Sequence, residues 1–149
     1  MSVAPFSSRC YWARLRQATL AVTELYDAML APVGLTINQY EMISNLHYLG
    51  TCSNAELAEQ TGLDRSTITR NVSLLKNKGL AQDTAPRGSR RSQLSLTPAG
   101  EELFQRAKCR WKETQASVSA ALGPECVAQL DILLPRLEAL APGVHPPIQ

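Results

Sequence analysis

Residues 53–79 read SNAELAEQTGLDRSTITRNVSLLKNKG and predict two short helices joined by a tight turn. Ala58 is small enough for two helices to approach closely, and Gly62 can take the left-handed conformation that such a turn requires. Asp64 is a good N-cap for the second helix, and Ile68 can point back into the unit. Together these residues have the spacing of a helix-turn-helix.

The second helix, from Arg65 to about Lys78, has two chemically different faces. Ile68, Val72 and Leu75 cluster on one side at 100° per residue. The opposite side carries hydroxyls and an arginine without an acid, and such groups can donate to phosphates and read base edges in a major groove. Leu74 lies toward this exposed side, and we expect it to pack on a neighbouring element. The candidate DNA contacts on this helix are Arg65, Ser66, Thr67, Thr69, Arg70 and Ser73.

A small β-hairpin with a basic tip is predicted downstream, from Leu80–Asp83 and Gln93–Leu96. Its arginines, Arg87, Arg90 and Arg91, could enter a minor groove or clamp phosphates. Between residues 65 and 91 the chain has seven basic residues and one acid, a net charge of +6 within a chain whose total is +2. This concentration of positive charge indicates a local polyanion-binding surface.

Long amphipathic helices flank this unit on both sides. The first is predicted over Tyr11–Leu30, and a second starts at Thr97-Pro98 and breaks at Gly123-Pro124 before a last helix. Their apolar faces exceed what one thin unit can cover, so pairing with a second copy would bury them. We therefore predict a mainly α fold with a small β-hairpin wing. A winged helix-turn-helix DNA-binding unit spans 33–97, and dimerisation helices span 1–32 and 98–149. The apolar face of the first helix comprises Leu15, Ala18, Val22, Leu25 and Met29.

Composition excludes several classes of function. Aromatic residues make up only 5% of the 149 residues, which argues against a stacking surface for single-stranded nucleic acid. No apolar run approaches the roughly 18 residues of a membrane span, and Met1–Ser8 lacks the features of a signal peptide, so a cytoplasmic protein without a membrane partner is expected. The four cysteines and two histidines lack metal-site spacing. Because no nucleophile motif or phosphate loop is present, we expect neither an enzyme nor a cofactor.

The assembled motifs resemble the MarR family of bacterial regulators over nearly the whole chain. The resemblance implies a triangular homodimer, held by its terminal helices, that binds a pseudo-palindromic operator in double-stranded DNA. It also implies repression that an effector relieves. Family wings usually carry an aspartate that holds the following arginine; here Gly88-Ser89 precede Arg90-Arg91, which leaves open which arginine enters the groove. The matching residues are Tyr26-Asp27, 30–36 with Gln39, 56–58, 63–70, Leu75, 78–80, Arg90-Arg91 and 96–100.

Two hypotheses compete for the signal that is sensed. The first is a small aromatic or anionic ligand bound between the dimer helices and the winged unit. The second is thiol oxidation, since Cys10 resembles the reactive cysteine of the peroxide-sensing OhrR branch, although it falls about two residues early. A protein–protein adaptor that does not bind DNA is the alternative from another class, and it predicts no salt-dependent DNA affinity. The ligand hypothesis names Trp12, Arg16, Tyr26, Tyr40, His47 and Trp111 as candidate contacts.

Overall fold

The computed structural model describes residues 10–140, so the outermost parts of the two predicted dimerisation segments lie outside the described residues. The structure is mainly helical with one two-stranded hairpin, as predicted. A 3-10 turn, Ala31–Val33, follows the first helix. The elements are α1 (Tyr11–Leu30), α2 (Ile37–Leu49), α3 (Asn54–Thr61), α4 (Arg65–Asn77), β1 (Ala81–Asp83), β2 (Leu94–Leu96) and α5 (Pro98–Glu138).

Side-chain caps define where the helices of the central unit begin. At α3, Ser53 Oγ accepts from the Glu56 N–H at 3.2 Å, and Glu56 Oε2 accepts from the Ser53 N–H at 2.7 Å. Thr36 and Gln39 form the same reciprocal box at α2. Asp64 caps α4 by accepting from the Thr67 N–H at 2.9 Å. These local bonds satisfy the N–H groups that a helix start leaves unpaired, and the cap at Asp64 confirms the predicted start of α4.

The hairpin is antiparallel, with Ala81 opposite Leu96 and Asp83 opposite Leu94. The loop before α3 extends it, because Leu94 donates to the carbonyl of Cys52 at 2.7 Å and accepts from the Cys52 N–H at 2.9 Å. The base of the wing is thereby tied to the helix-turn-helix through the backbone. Each strand begins one residue later than predicted, at Ala81 and Leu94, a difference of the size usual at the ends of secondary-structure elements.

One hydrophobic core lies beneath α2–α4, the hairpin and the start of α5. Ile68, Val72 and Leu75 are buried in it, which confirms the predicted inner face of α4. α5 packs so closely on Leu80, the residue before β1, that a Cβ at Gly100 would overlap the carbonyl oxygen of Leu80. The expectation that Leu74 packs on a neighbour is wrong within the described chain, where it is 45% exposed. The side chains that are fully buried here include Leu30, Met42, Ile43, Leu46, Leu57, Ile68, Leu75, Leu94 and Phe104.

The flanking helices carry apolar faces that one chain leaves uncovered. On α1, Leu15, Val22 and Leu25 are exposed, although the periodicity places them on one face. α5 breaks at Gly123, whose φ of 79° and ψ of 160° are not helical, and none of the residues 124–140 is buried. The distal part of α5 and the first turns of α1 border an apolar groove of about 490 Å³.

By length and composition alone, α5 contains a stretch apolar enough to cross a membrane, and none of that stretch is buried in the described chain. The segment Tyr11–Val33 taken together with α2 passes the same test but is bent by 71°. The break at Gly123 would leave backbone groups unpaired in lipid, which a continuous span avoids. These exposed apolar faces therefore fit a partner helix better than a bilayer.

Candidate nucleic-acid interface

The outward face of α4 is polar and basic. Ser66, Arg70 and Ser73 are exposed on it, opposite the buried Ile68, Val72 and Leu75. Arg65 and Thr69 are exposed as well, and the Thr69 hydroxyl donates to the Arg65 carbonyl at 2.9 Å. Thr67 is half-buried, and its hydroxyl donates to the capping carboxylate of Asp64 at 2.6 Å. The freest donors on this helix are therefore its arginines and serines.

Asp64 keeps its charge at the start of α4. The hydroxyl of Thr67, followed by its backbone N–H, holds the pKa of this carboxyl below its usual range. The carboxylate fixes the first turn of the helix, from which the predicted base-reading residues project. Because it caps the helix, the same carboxylate is occupied by hydrogen bonds and lies beside the basic face rather than on it.

The wing and α4 meet at one concave surface. A groove of about 640 Å³ has Arg65 and Thr69 on its helical side and Arg90 and Arg91 on its wing side, with the start of α3 as its floor. Arg70, Ser73 and Arg87 do not line this groove but lie exposed beyond it. The structure thus brings residues of the two predicted basic elements together, although 20 or more positions separate them in the chain.

The two adjacent wing arginines have different surroundings. The guanidinium of Arg91 donates to Glu56 Oε1 at 3.0 Å, across from the wing to the first turn of α3. The hydroxyl of Ser89, which precedes the two arginines, bonds only the backbone of Arg91, accepting from the N–H at 3.2 Å and donating to the carbonyl at 2.8 Å. Among the described residues, the side chain of Arg90 makes no hydrogen bond or ion pair.

Three residues that sequence reasoning did not assign to the site position the wing. Asp83 Oδ1 accepts from the Gln93 N–H at 2.9 Å and the Ala85 N–H at 3.0 Å, and these two bonds lower the pKa of its carboxyl. The Ser92 hydroxyl accepts from the Asn54 N–H at 2.8 Å. Glu56, which caps α3, also accepts from Arg91 in the wing. An acid at the last position of a short strand was the one available signal for Asp83. The pairings with α3 span more than 30 residues and leave no local pattern.

The six candidate effector contacts do not form one cluster within a single chain. Tyr40 is buried, with ring centroids 6.1 Å from both Trp111 and Phe104, and burial raises its pKa to about 12, with a smaller contribution from Tyr48. His47 stacks on the other side of this column, 4.2 Å from Phe104, and its Nδ1 lies 2.7 Å from Glu101 Oε2. These aromatic residues therefore join α2 to α5.

The remaining candidates lie on α1. Tyr26 is buried and donates its hydroxyl hydrogen to Gln115 Oε1, one turn beyond Trp111 on α5, and burial raises its pKa. Trp12 is 67% exposed, with the Arg16 guanidinium 5.3 Å from its ring centroid. Ten or more residues of helix, about 15 Å or more, separate that pair from Tyr26.

The cysteines in the described chain are free thiols. Cys10 is half-buried at the N-cap position of α1, Cys52 is buried, and Cys109 and Cys126 are exposed on α5. Burial, and then the charge of Glu56, raise the pKa of Cys52, which makes it a poor nucleophile. Within residues 10–140 no group of three or more His, Cys, Asp or Glu side chains could hold a metal ion.

Comparison with known proteins matches residues 33–92 to a family model described as "MarR family". Among solved structures, the Mycobacterium tuberculosis transcriptional regulator MOSR in complex with DNA is 29% identical, with a TM-score of 0.74 over 88% of this chain and 98% of that one. The PcaV transcriptional regulator from Streptomyces coelicolor, in complex with its natural ligand, is 27% identical, with a TM-score of 0.80 over 92% of this chain and 96% of that one.

The same fold recurs in a cysteine-to-serine mutant of MarR from Escherichia coli complexed with operator DNA. It is 19% identical, with a TM-score of 0.80 over 91% of this chain and 99% of that one. The family match covers the helix-turn-helix and most of the wing, and the structural matches extend through the flanking helices. Residues 33–92 of this protein therefore match the MarR family, and the chain as a whole has the fold of the winged helix-turn-helix transcriptional regulators to which it is similar.

Proposed function

We propose that this chain is a dimeric regulator that binds double-stranded operator DNA and represses a nearby operon until a small effector releases it. The observation that carries the proposal is the concave basic surface shared by α4 and the wing, which has Arg65 and Arg90 on opposite sides. A recognition helix with a hydroxyl- and arginine-bearing face fits a major groove, and a basic hairpin beside it reaches the flanking backbone or minor groove.

Within this proposal the residues of α4 divide by role. Arg70 and Ser66 point outward from the buried face and are assigned to base edges. Arg65, near the N-terminus of the helix, is assigned to a phosphate, as that end of a helix favours an anion. Two solved relatives, MOSR at 29% identity and the more distant Escherichia coli MarR, are in complex with DNA, which supports the same role here.

Dimerisation follows from the apolar faces of α1 and distal α5. Leu133 and Leu134 are 51% and 44% exposed, and none of residues 124–140 is buried within the chain. A second copy that contributes the same two helices would cover both faces around a two-fold axis. Leu134→Glu should convert the dimer to a monomer in sedimentation velocity, whereas Gln129→Glu, the same charge at an exposed polar position of this helix, should not.

The effector proposal rests on the aromatic residues between α1, α2 and α5. The 27%-identical relative PcaV is in complex with its natural ligand, and Tyr26, Tyr40 and Trp111 supply rings and hydroxyls on this side of the fold. An aromatic anion is the chemical class assigned. Benzoate should release labelled operator at lower concentration than cyclohexanecarboxylate, which has the same charge without the aromatic ring; equal release would contradict the class.

The deciding experiment is a titration of the purified protein with DNA from its own upstream region at several salt concentrations. Arg65, Arg87 and Arg90 on each protomer place six cations at the duplex in a dimer, so log K should fall against log salt with a slope of about −5. Affinity should fall on the order of a thousandfold between about 50 and 200 mM salt. Absence of salt-dependent binding to any DNA would favour the adaptor alternative.

A further inference from the structure

We infer that Glu56 is the positioning residue of the wing: it holds Arg91 against the helix-turn-helix and leaves Arg90 as the wing arginine that enters the DNA groove. This inference rests on the DNA-binding function proposed above and decides between the two adjacent arginines. It comes from the arrangement of one carboxylate between two elements.

The two oxygens of Glu56 serve different partners. Oε2 accepts from the backbone N–H and the hydroxyl of Ser53, both at 2.7 Å, and so fixes the first turn of α3. Oε1 accepts from the Arg91 guanidinium at 3.0 Å. Because the cap already fixes the carboxylate, little further side-chain order is needed to receive the arginine, an advantage that most exposed ion pairs lack. Glu56 therefore joins the wing to a rigid helix start.

The carboxylate is charged when it does this. The Ser53 N–H and hydroxyl, with a further contribution from Arg91, lower the pKa of Glu56, so it remains an anion at neutral pH. An unpaired anion in a groove that faces DNA would repel phosphate, and Arg91 neutralises it. Arg91 is thus paired with Glu56 within the protein, and among residues 10–140 Arg90 is the wing-side arginine of the groove that has no such partner.

The backbone of the wing agrees with this division. The Ser89 hydroxyl bridges the N–H and carbonyl of Arg91 and so fixes the local bend. The Asn54 N–H donates to Ser92 at 2.8 Å, which ties the residue after Arg91 to α3. Arg90 lies inside the bend that Ser89 closes on Arg91, and it lines the same groove as Arg91 without taking part in these bonds.

Operator binding of Arg91→Ala, Glu56→Gln with Arg91→Ala, and Arg90→Ala tests the assignment. Glutamine can keep the cap, because Gln39 serves in the same position at α2. Arg91→Ala should weaken binding several-fold by exposing the Glu56 charge, and Glu56→Gln in the same chain should restore the affinity to within about twofold and the wild-type salt slope. Arg90→Ala should make the slope of a dimer shallower by about 1.8, since each phosphate contact contributes about 0.9.

A direct contact between Arg91 and DNA would give a different result. If Arg91 touches DNA directly, the double variant will stay as weak as Arg91→Ala, and its slope will be shallower by about 1.8, which overturns the inference. Glu59→Gln is the matched control, because it removes the same charge from the same groove without releasing Arg91.

A measurement on the free protein separates this inference from the proposed function. Backbone ¹⁵N relaxation should show greater mobility of residues 85–92 in Glu56→Gln than in Glu59→Gln or the wild type. Unchanged mobility would overturn the anchoring whether or not DNA binds. If the wild type binds no DNA while Glu56→Gln frees the wing, the anchoring stands, and the proposed function and the Arg90 assignment fail.

Discussion

Replacing Gly100 with alanine should destabilise the winged unit, although alanine is the better helix former. Gly100 is buried in the first turn of α5, where its backbone lies directly on the carbonyl of Leu80. That carbonyl accepts a hydrogen bond from the Thr97 N–H at 3.1 Å. An added methyl group would overlap the carbonyl oxygen and come within 3.3 Å of a Leu96 methyl carbon. Neither backbone can yield without moving the helix.

The magnitude follows from three effects. Inserting a methyl group into a packed site costs about 1–3 kcal/mol, and a weakened Thr97–Leu80 hydrogen bond costs about 1 kcal/mol more. The higher helix propensity of alanine returns up to about 1 kcal/mol. The net loss is about 2 kcal/mol, which lowers the Tm by about 4–8 °C in a chain of this size. Urea and thermal denaturation, followed by circular dichroism at one fixed protomer concentration, would measure it.

Ala99→Gly is the control for this prediction, because it removes a methyl group at the exposed neighbouring position of the same turn. It should cost no more than about 1 kcal/mol, through propensity alone. A Gly100→Ala variant that is as stable as the wild type, or more stable, would refute the close packing of α5 on Leu80. Such a result would mean that the propensity gain outweighs the overlap, and the helix would have to sit farther from β1.

Three further perturbations have expected outcomes of different kinds. Arg70→Ala should weaken operator binding by about 1–3 kcal/mol and relax specificity at one base pair; unchanged affinity in a gel-shift titration would remove Arg70 from the base-reading set. Cys10→Ser should abolish any peroxide-dependent loss of DNA binding if thiol oxidation is the signal, and an oxidant response that persists would exclude Cys10. The N–H groups of Gln93 and Ala85 lower the pKa of Asp83, so its carboxylate stabilises the hairpin fully at pH values above the ordinary pKa of 3.8. This stabilisation is lost as the pH falls through the lower pKa that Asp83 has in the folded protein. In Asp83→Asn the free energy of unfolding should therefore decrease less steeply as the pH is lowered. A pH dependence of stability equal to that of the wild type would contradict the role of Asp83 in holding the hairpin.

The helix starts and the turns could be predicted from the sequence because local chemistry specifies them. Ser53 with Glu56, and Asp64 before Arg65, need only neighbouring backbone groups to act as caps, so their spacing is visible in the chain. The inner face of α4 was equally visible, because Ile68, Val72 and Leu75 follow the period of a helix. The resemblance added what periodicity cannot, the arrangement of these elements as a winged unit.

Contacts between distant segments could not be predicted in the same way. Arg91 and Glu56 are 35 positions apart, and Arg91 pairs with the carboxylate oxygen of Glu56 that the helix cap does not use. No pattern of residue spacing predicts such a pair. The aromatic column of Trp111, Tyr40, Phe104 and His47 depends on how α5 crosses α2. The spacing placed Leu74 toward the exposed side of α4, but it could not show whether a neighbouring element covers it, and within residues 10–140 it is 45% exposed.

The path from the flanking helices to the DNA surface can be followed through α5. On the N-terminal side of the break at Gly123, this helix is continuous back to its N-cap, Thr97, which directly follows β2. In its first turn Gly100 packs on Leu80, the residue before β1. A continuous helix moves as a rigid body, so a displacement near Trp111 and Gln115 reaches the base of the wing. From there, the backbone pair of Cys52 with Leu94, and Glu56 with Arg91, pass it to α3 and the wing. An effector at the aromatic residues would therefore reach α3 and the wing together, because α5 packs on the base of the hairpin and the hairpin is bonded to α3 and the loop before it.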